Sequence, residues 1–384
     1  TITGSMDNPQ FNGYILSDAL SINGQLLTDI HGHVYADKSV VNVQDFSFAE
    51  SNGGRYVAKG GMKLDDSKQL FGVLDVTNGS VKNLLALLDR ADEHLDGQLN
   101  GSVELGGTKD NPSVIVNGKI NDVSIDDKVV GDATIDASLA NRKFKITTLK
   151  LPVGEGLIAM GGTLDLDGQA DLQVALKDVD IVPFLPLVGK DIQATGWVTG
   201  VVNVTGETKN PKVVLSGAVE SGSFNGIGID EGFALATMQD HVIQIQRIQG
   251  AKSGYKLSIY GKIPLAALYT SGYLEASDAK SMDVTIDFNE ADMAVIPLVT
   301  TRVKDATGPL KGAIRLTGTI DQPEAYGTVS VRNGTMKLAN VDNEITGIDG
   351  DLIFSGQQGD FQSRINMGKG SAGLAAKVNW SGHE

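Results

Sequence analysis

The eighteen residues from Gly200 to Gly217, GVVNVTGETKNPKVVLSG, form a phrase that this chain repeats, and the repeat limits what it can fold into. The phrase reads as an alternating apolar strand, a glycine, a polar turn closing on Asn210-Pro211, and a second alternating strand. Three other versions turn between Gly4 and Gly13 through Asn8-Pro9, after Gly107 through Asn111-Pro112, and between Gly318 and Gly327 through Gln322-Pro323. Pro9, Pro112, Pro211 and Pro323 therefore set a period of about 100 residues. A unit recurring at fixed period cannot cover its own apolar face and stacks on its neighbours, so the length of 384 residues is not to be divided by a typical domain size.

Composition agrees with a turn-rich β-protein. There are 47 glycines against 10 prolines, aromatics are 5% of the chain, and the 41% of apolar residues that alternate along it exclude general disorder. A net charge of −15 with no basic stripe excludes nucleic acid and an anionic headgroup surface as partners. The absence of cysteine excludes disulfides, thiol catalysis and cysteine metal sites together. No run of eighteen apolar residues is present to cross a bilayer as a helix, and Thr1-Ile2-Thr3-Gly4 is not a signal peptide. The chain starts inside a repeat, so the expectation is a piece of a longer protein, with any anchor or export signal outside it.

Taken in order, the first unit (1–96) predicts short strands over Tyr14–Leu16, Ser21–Leu27, Ile30–Tyr35, Val40–Phe48 and Tyr56–Leu64, spaced as in antiparallel sheet. Ser80 to Ala91, SVKNLLALLDRA, places Val81, Leu84, Leu85 and Leu88 at helical spacing. The second unit (97–192) repeats the plan, with Asp180 to Lys190, DIVPFLPLVGK, in place of the helix; Pro183 and Pro186 limit it to a turn or so. The third (193–308) ends on Asp292 to Val303, DMAVIPLVTTRV, and the fourth (309–384) stops after a glycine-containing strand near Gly370 to Trp380. A second landmark aligns Gly61, Gly162 and Gly261, while Leu88, Val188 and Thr300 mark the helical punctuation at steps of 100 and 112 residues. About thirty strands at roughly 4.8 Å apiece would make a sheet on the order of 140 Å long.

No motif points to catalysis. Asp165-Leu-Asp167-Gly168 with Asp171 lacks the remaining ligands of a calcium loop, and His31-Gly-His33 has no third ligand nearby in sequence, so a solvent-facing pair is expected. Gly154-Glu-Gly156 opens no helix and reads as a turn, and no nucleophile elbow occurs. The expectation is a protein that is not an enzyme, with no cofactor and no metal.

The phrase from Leu99 to Pro112, with its counterpart from Leu310 to Pro323, each followed by Gly-Xaa-Val or its like and a later glycine strand, is similar to the TamB and AsmA-like proteins of diderm bacteria. The similarity extends over the whole chain through the repeat plan and the short helices. It implies a mainly β fold, an elongated antiparallel sheet curled into a taco-like groove. It also implies a periplasmic location, an inner-membrane anchor outside this piece, and transport of phospholipids between the membranes. For the parent protein it implies an outer-membrane barrel partner of the TamA/BamA type.

Read from the residues, the strands place aliphatics on one face, with few aromatics and no polar anchors, and such a lining suits acyl chains. Leu105, Val116, Ile135, Leu139, Val174, Leu215, Leu257, Ile259, Ile286, Leu316 and Val331 are the candidate groove residues, and a one-residue slip in register would move any of them to the other face. Two other roles use the same pattern: a scaffold that passes on β-barrel strands by strand addition, and a secreted adhesin rod whose interior is filled by its own side chains.

Overall fold

Alternating aliphatics with frequent glycine and almost no helix-forming runs leave the chain one way to satisfy its backbone, which is strand pairing. The computed structural model describes residues 1–87, 94–188, 193–224, 227–252, 255–268, 281–298, 302–319, 322–340, 344–367 and 370–379. The first repeat supplies β1 (Ile2–Ser5), β2 (Asn8–Ile22), β3 (Gln25–Ala36), β4 (Val40–Glu50), β5 (Arg55–Lys63), β6 (Leu70–Ser80) and helix α1 (Val81–Leu87). The second supplies β7 (Leu95–Gly107), β8 (Pro112–Ile125), β9 (Lys128–Ala140), β10 (Lys143–Val153), β11 (Gly156–Asp165) and β12 (Gln169–Asp180), then a 3₁₀ turn, Val182–Phe184, running into α2 (Leu185–Val188). The third supplies β13 (Ala194–Glu207), β14 (Lys212–Phe224), β15 (Ile227–Gln239), β16 (Val242–Lys252), β17 (Tyr255–Pro264), α3 (Leu265–Leu268), β18 (Met282–Asp292) and a 3₁₀ segment, Met293–Leu298. The last comprises β19 (Val303–Thr307), β20 (Pro309–Gly318), β21 (Pro323–Leu338), β22 (Ile345–Gly356), β23 (Gln358–Met367) and β24 (Gly370–Asn379).

The described residues thus hold 24 strands, not about thirty, because most run ten to sixteen residues and pass through positions that read as breaks. Tyr14–Leu16 is the middle of β2, for example. The expected strand Ser21–Leu27 is instead two strand ends joined by a hairpin turn. Asn23 and Gly24 both have left-handed φ, +48° and +79°, which is the backbone of a two-residue type I′ loop. The helix expected over Ser80–Ala91 covers Val81–Leu87, and Ser80 caps it, its Oγ accepting the Asn83 N–H at 3.1 Å. Leu88 and Thr300 lie outside the described residues.

The chain forms two compact units, Thr1–Lys190 with Val204–Lys209, and Asp191–Asn203 with Asn210–Glu384. In the first, β1 to β12 pair each with the next in sequence, all antiparallel. In the second, β14 to β18 pair in succession, β18 pairs β20, and β20 to β24 continue the meander. β19 pairs the far half of β21, so β19 and β20 are one strand bent at Gly308.

Because strand direction alternates, each unit has two rims. The Asn-Pro turns all fall on one, the turn rim, and α1, α2 and Met293–Leu298 all fall on the other, the helix rim. At the turn rim Gly4, Gly107, Gly206 and Gly318 share φ of +91°, +75°, +90° and +85°, so each of the four turns is entered through a left-handed glycine. Two turn asparagines also clamp the next hairpin: Asn111 Nδ2 donates to Asn141 Oδ1 at 2.7 Å and Asn210 Nδ2 to Asp240 Oδ1 at 2.6 Å. At the helix rim Asp180 Oδ1 accepts the Val182 N–H at 3.1 Å and Asp292 Oδ1 the Ala294 N–H at 2.9 Å, so a short polar side chain bonds the backbone at the entry to each of these segments as Ser80 does at α1.

A β-bulge recurs in each of the first three repeats, between Val43 and Phe46, Ile146 and Leu149, and Ile245 and Ile248. The residues facing these bulges are Gly60, Gly162 and Gly261, whose φ values are +155°, +126° and +143°. The equivalent of Gly162 in the first repeat is therefore Gly60 and not Gly61. A Cβ at any of the three would overlap the carbonyl of the following strand, at Phe71, Asp171 or Asp283. An extra residue on one strand bends it and increases its twist, so a bulge at the same place in each of these three repeats bends their strands in the same sense.

The longer step of 112 residues has a structural cause as well. β11 and β12 are joined by residues 166–168, whereas β17 and β18 are joined by residues 265–281, which include α3.

Candidate functional site

Residues paired across an antiparallel ladder share a face, so the registers decide which side chains line one surface. In the first unit the line starts at Ala58, Gly60 and Met62 on β5 and passes to Leu74, Gly72 and Leu70 on β6. It continues to Val103 and Leu105 on β7, Val116 and Val114 on β8, and Ala137, Ile135 and Leu139 on β9. Ile146 and Leu149 on β10, Met160 and Ile158 on β11, and Val174 and Leu176 on β12 complete it. Every position is aliphatic, aromatic or glycine. The opposite face carries Glu104, Asn117, Lys119, Asp136, Lys145 and Lys150, which is why one side seeks cover and the other water.

The second unit has the same division. Val213 and Leu215 on β14 face Met238 and Ala236 on β15, which face Ile243 and Ile245 on β16. Ile248 pairs Ile259, which pairs Ile286 and then Ile314, while Leu257 pairs Gly250. Leu316 pairs Val284 and Ala325, and Leu310 pairs Val331.

All eleven sequence-derived candidates fall on these apolar faces. Leu105, Val116, Ile135, Leu139 and Val174 share one in the first unit, and Leu215, Leu257, Ile259, Ile286, Leu316 and Val331 share one in the second. Val331 differs in its cover: it is buried with Met293, Val303, Ala306 and Leu310 in the core of the second unit. It packs against protein and offers no open surface there.

The first unit also encloses space. A cavity of about 750 Å³ is lined by Ile15 of β2, Val43 and Phe46 of β4, Met62, Leu70, Leu74, Leu105 and Val114 of β8. In a flat sheet β2 and β8 would stand roughly 29 Å apart at 4.8 Å per strand, whereas a sphere of that volume is only about 11 Å across. The sheet of this unit must curl for both strands to border one cavity. The first repeat yielded none of the eleven candidates, although it supplies most of this lining. Its signal was present in the Gly60 and Gly72 pair, where neighbouring strands both lack a side chain and leave the floor of the cavity bare. A second cavity of about 610 Å³ lies in the other unit, between Leu257, Ala291, Val295 and Ala306, with Lys252 and Lys256 beside it.

Cover is uneven between the rims. Toward the helix rim Tyr56, Ile125 and Val179 have 0%, 2% and 1% of their surface exposed, and α1 packs against β3, β6 and β7. Toward the turn rim Leu105 is 40% exposed and Phe144 41%. Tyr56 stacks on Phe48 with ring centroids 4.5 Å apart and donates its hydroxyl to Glu50 Oε1 at 2.7 Å. Glu50, itself buried, also accepts the Ser80 N–H at 3.1 Å, so the base of α1 is tied to the sheet. Burial, together with the Glu50 carboxylate, pushes the Tyr56 phenol well above its ordinary range.

The polar face carries ordinary surface electrostatics. Arg142 forks onto Asp167 and Arg315 onto Asp283, holding both carboxyls below the usual range through those hydrogen bonds. Asp37 is held at about 2 by the Ser39 hydroxyl. Asp165 and Asp167 form the β11–β12 turn, with Asp165 Oδ1 accepting the Asp167 N–H at 3.1 Å. His31 meets Ser47 Oγ at 2.8 Å, and His33 stacks on Tyr14 and meets Asn12 Oδ1 at 2.6 Å. Among the described residues no three His, Asp or Glu side chains gather as metal ligands.

Comparison with protein-family models, with curated proteins and with solved structures returns no match for this chain.

Proposed function

We propose that the apolar face is a track for lipid acyl chains, and that the chain is a non-enzymatic segment of a protein that carries phospholipid between the inner and outer membranes of a diderm cell. The observation that carries this reading is the register-continuous apolar face, open toward one rim, with aliphatics such as Leu105 and Leu215 each 40% exposed. A large exposed apolar surface on a chain of net charge −15 is costly in water unless something covers it, and acyl chains need only a smooth apolar lining without polar anchors. The resemblance of its repeat phrases to TamB and AsmA-like proteins supports a periplasmic segment, with the anchor and any outer-membrane barrel partner belonging to the parent protein. Among the described residues no helix is long and apolar enough to cross a membrane.

Ile259→Asp tests the reading, because it sets a charge in the middle of the stripe at a residue flanked in register by Ile248 and Ile286. The expected result is loss of phospholipid transfer and of complementation in a cell that needs this protein, with the circular dichroism spectrum retained. Transfer that survives the substitution would remove the main support. Crosslinks to unfolded outer-membrane protein with no bound lipid would instead favour the strand-addition scaffold.

A further inference from the structure

We infer that lipids sit in the first unit with their tails toward the helix rim and their phosphate-bearing headgroups at the turn rim, beside Lys68 and Lys109. The inference rests on the groove reading and adds to it an orientation and a headgroup subsite. Three observations converge on it.

The first is cover. At the helix rim the apolar face is sealed by α1 and by buried Tyr56 and Val76, and the buried polar groups there, Glu50 and Ser80, already bond to each other and to Tyr56. A headgroup placed there would displace satisfied bonds. At the turn rim the lining residues are exposed.

The second is the geometry around Gln69. The Lys63 N–H donates to the Gln69 carbonyl at 2.9 Å, Gln69 bridges to Thr108, and the Lys109 N–H donates to the Lys68 carbonyl at 3.2 Å. The turn that carries Lys68 and the turn that carries Lys109 thereby meet at one point of the rim. That point adjoins Leu70 and lies at the foot of the 750 Å³ cavity, since Met62 pairs Leu70 and Leu105 pairs Gly72.

The third is charge. The lysines alternate with Asp65, Asp66 and Asp110, all exposed. Asp65 is already occupied by the Ser67 hydroxyl and N–H, which leaves Asp66 and Asp110 on the rim. Phosphate facing the lysines and ammonium facing the aspartates is the pattern of a zwitterionic headgroup, and it fits that chemistry better than a purely anionic one.

The chain has no cysteine, so single cysteines can carry a fluorophore cleanly. Lys38→Cys and Ser51→Cys place it at opposite ends of β4, the first at the turn rim and the second at the helix rim. Each labelled protein is loaded from phosphatidylethanolamine vesicles doped with lipid bearing a nitroxide either on the headgroup or at the acyl end. The headgroup probe is expected to quench the Lys38→Cys label severalfold more than the Ser51→Cys label, and the acyl-end probe the reverse. Lys68→Glu with Lys109→Glu is expected to lower the retained lipid severalfold, while Lys119→Glu with Lys150→Glu on the polar face leaves it unchanged. Equal or reversed quenching, or full retention in the Lys68→Glu and Lys109→Glu protein, overturns the inference while leaving the groove reading standing. Absence of quenching by either probe in a folded protein overturns both.

Discussion

The two rims of the first unit are built from the same alternating strands, yet one is a core and the other is an open face. Toward the helix rim, α1 and the Tyr56–Glu50–Ser80 bonds close over Leu27, Ile30 and Val76. Toward the turn rim, Leu105 and Phe144 continue the same stripes with about two-fifths of their surface left in water. Periodicity therefore tells which face is apolar and not whether anything covers it. The second unit sharpens the contrast. It carries α3 on its turn rim, and there Ala267, Val284 and Ala325 are buried, so the same rim is closed in one unit and open in the other.

The largest effect that would break this comparison is expected at Tyr56. Truncation to alanine removes a fully buried ring and leaves the Glu50 carboxylate short of a donor, costing about 3–5 kcal/mol in denaturant unfolding. A cost near that of an exposed residue would mean that the helix rim is not a core. Next, Gly162→Val forces a β-branched residue into a left-handed backbone against the Asp171 carbonyl, with an expected loss of about 2–4 kcal/mol. The same change at Gly250, where added atoms meet nothing within 4 Å, should be much milder.

Smaller effects probe the open rim. Leu105→Ala should cost less than about 1 kcal/mol, because much of that side chain is already in water. The alkaline response separates the rims in another way. A phenol whose folded pKa is raised contributes stability that is complete below its unfolded value near 10 and is lost as pH climbs above it. Stability should therefore fall above about pH 10, and Tyr56→Phe should flatten that fall. At the small end, Arg142→Ala breaks an exposed pair with Asp167 and should not move the unfolding midpoint measurably.

Much of this architecture was legible in the residues. The Asn-Pro turns gave the period, while the longer step of 112 residues is visible in the sequence without its cause, the connection between β17 and β18 that contains α3. Alternation put all eleven candidates on the apolar faces. What escaped depended on φ and on hydrogen bonding across strands. The Gly60-Gly61 doublet offers two alignments, and only the bulge facing Gly60 chooses between them. Asn23-Gly24 was absorbed into a strand, since Ser21, Leu26 and Leu27 continue the pattern on both sides of a two-residue loop. The cavity in the first unit escaped because it depends on curl, which a bulge imposes and a one-dimensional pattern does not record.

The central claim is that the open face holds lipid tails, and the phospholipid that copurifies with the protein tests it most directly. Phosphorus assay and mass spectrometry of lipid extracted from the purified protein, alongside its Leu105→Asp and Ile259→Asp variants, should find bound phospholipid in the parent. The variants should have sharply less at an unchanged melting temperature. A parent protein free of phospholipid, or variants that retain as much as the parent, would contradict the account.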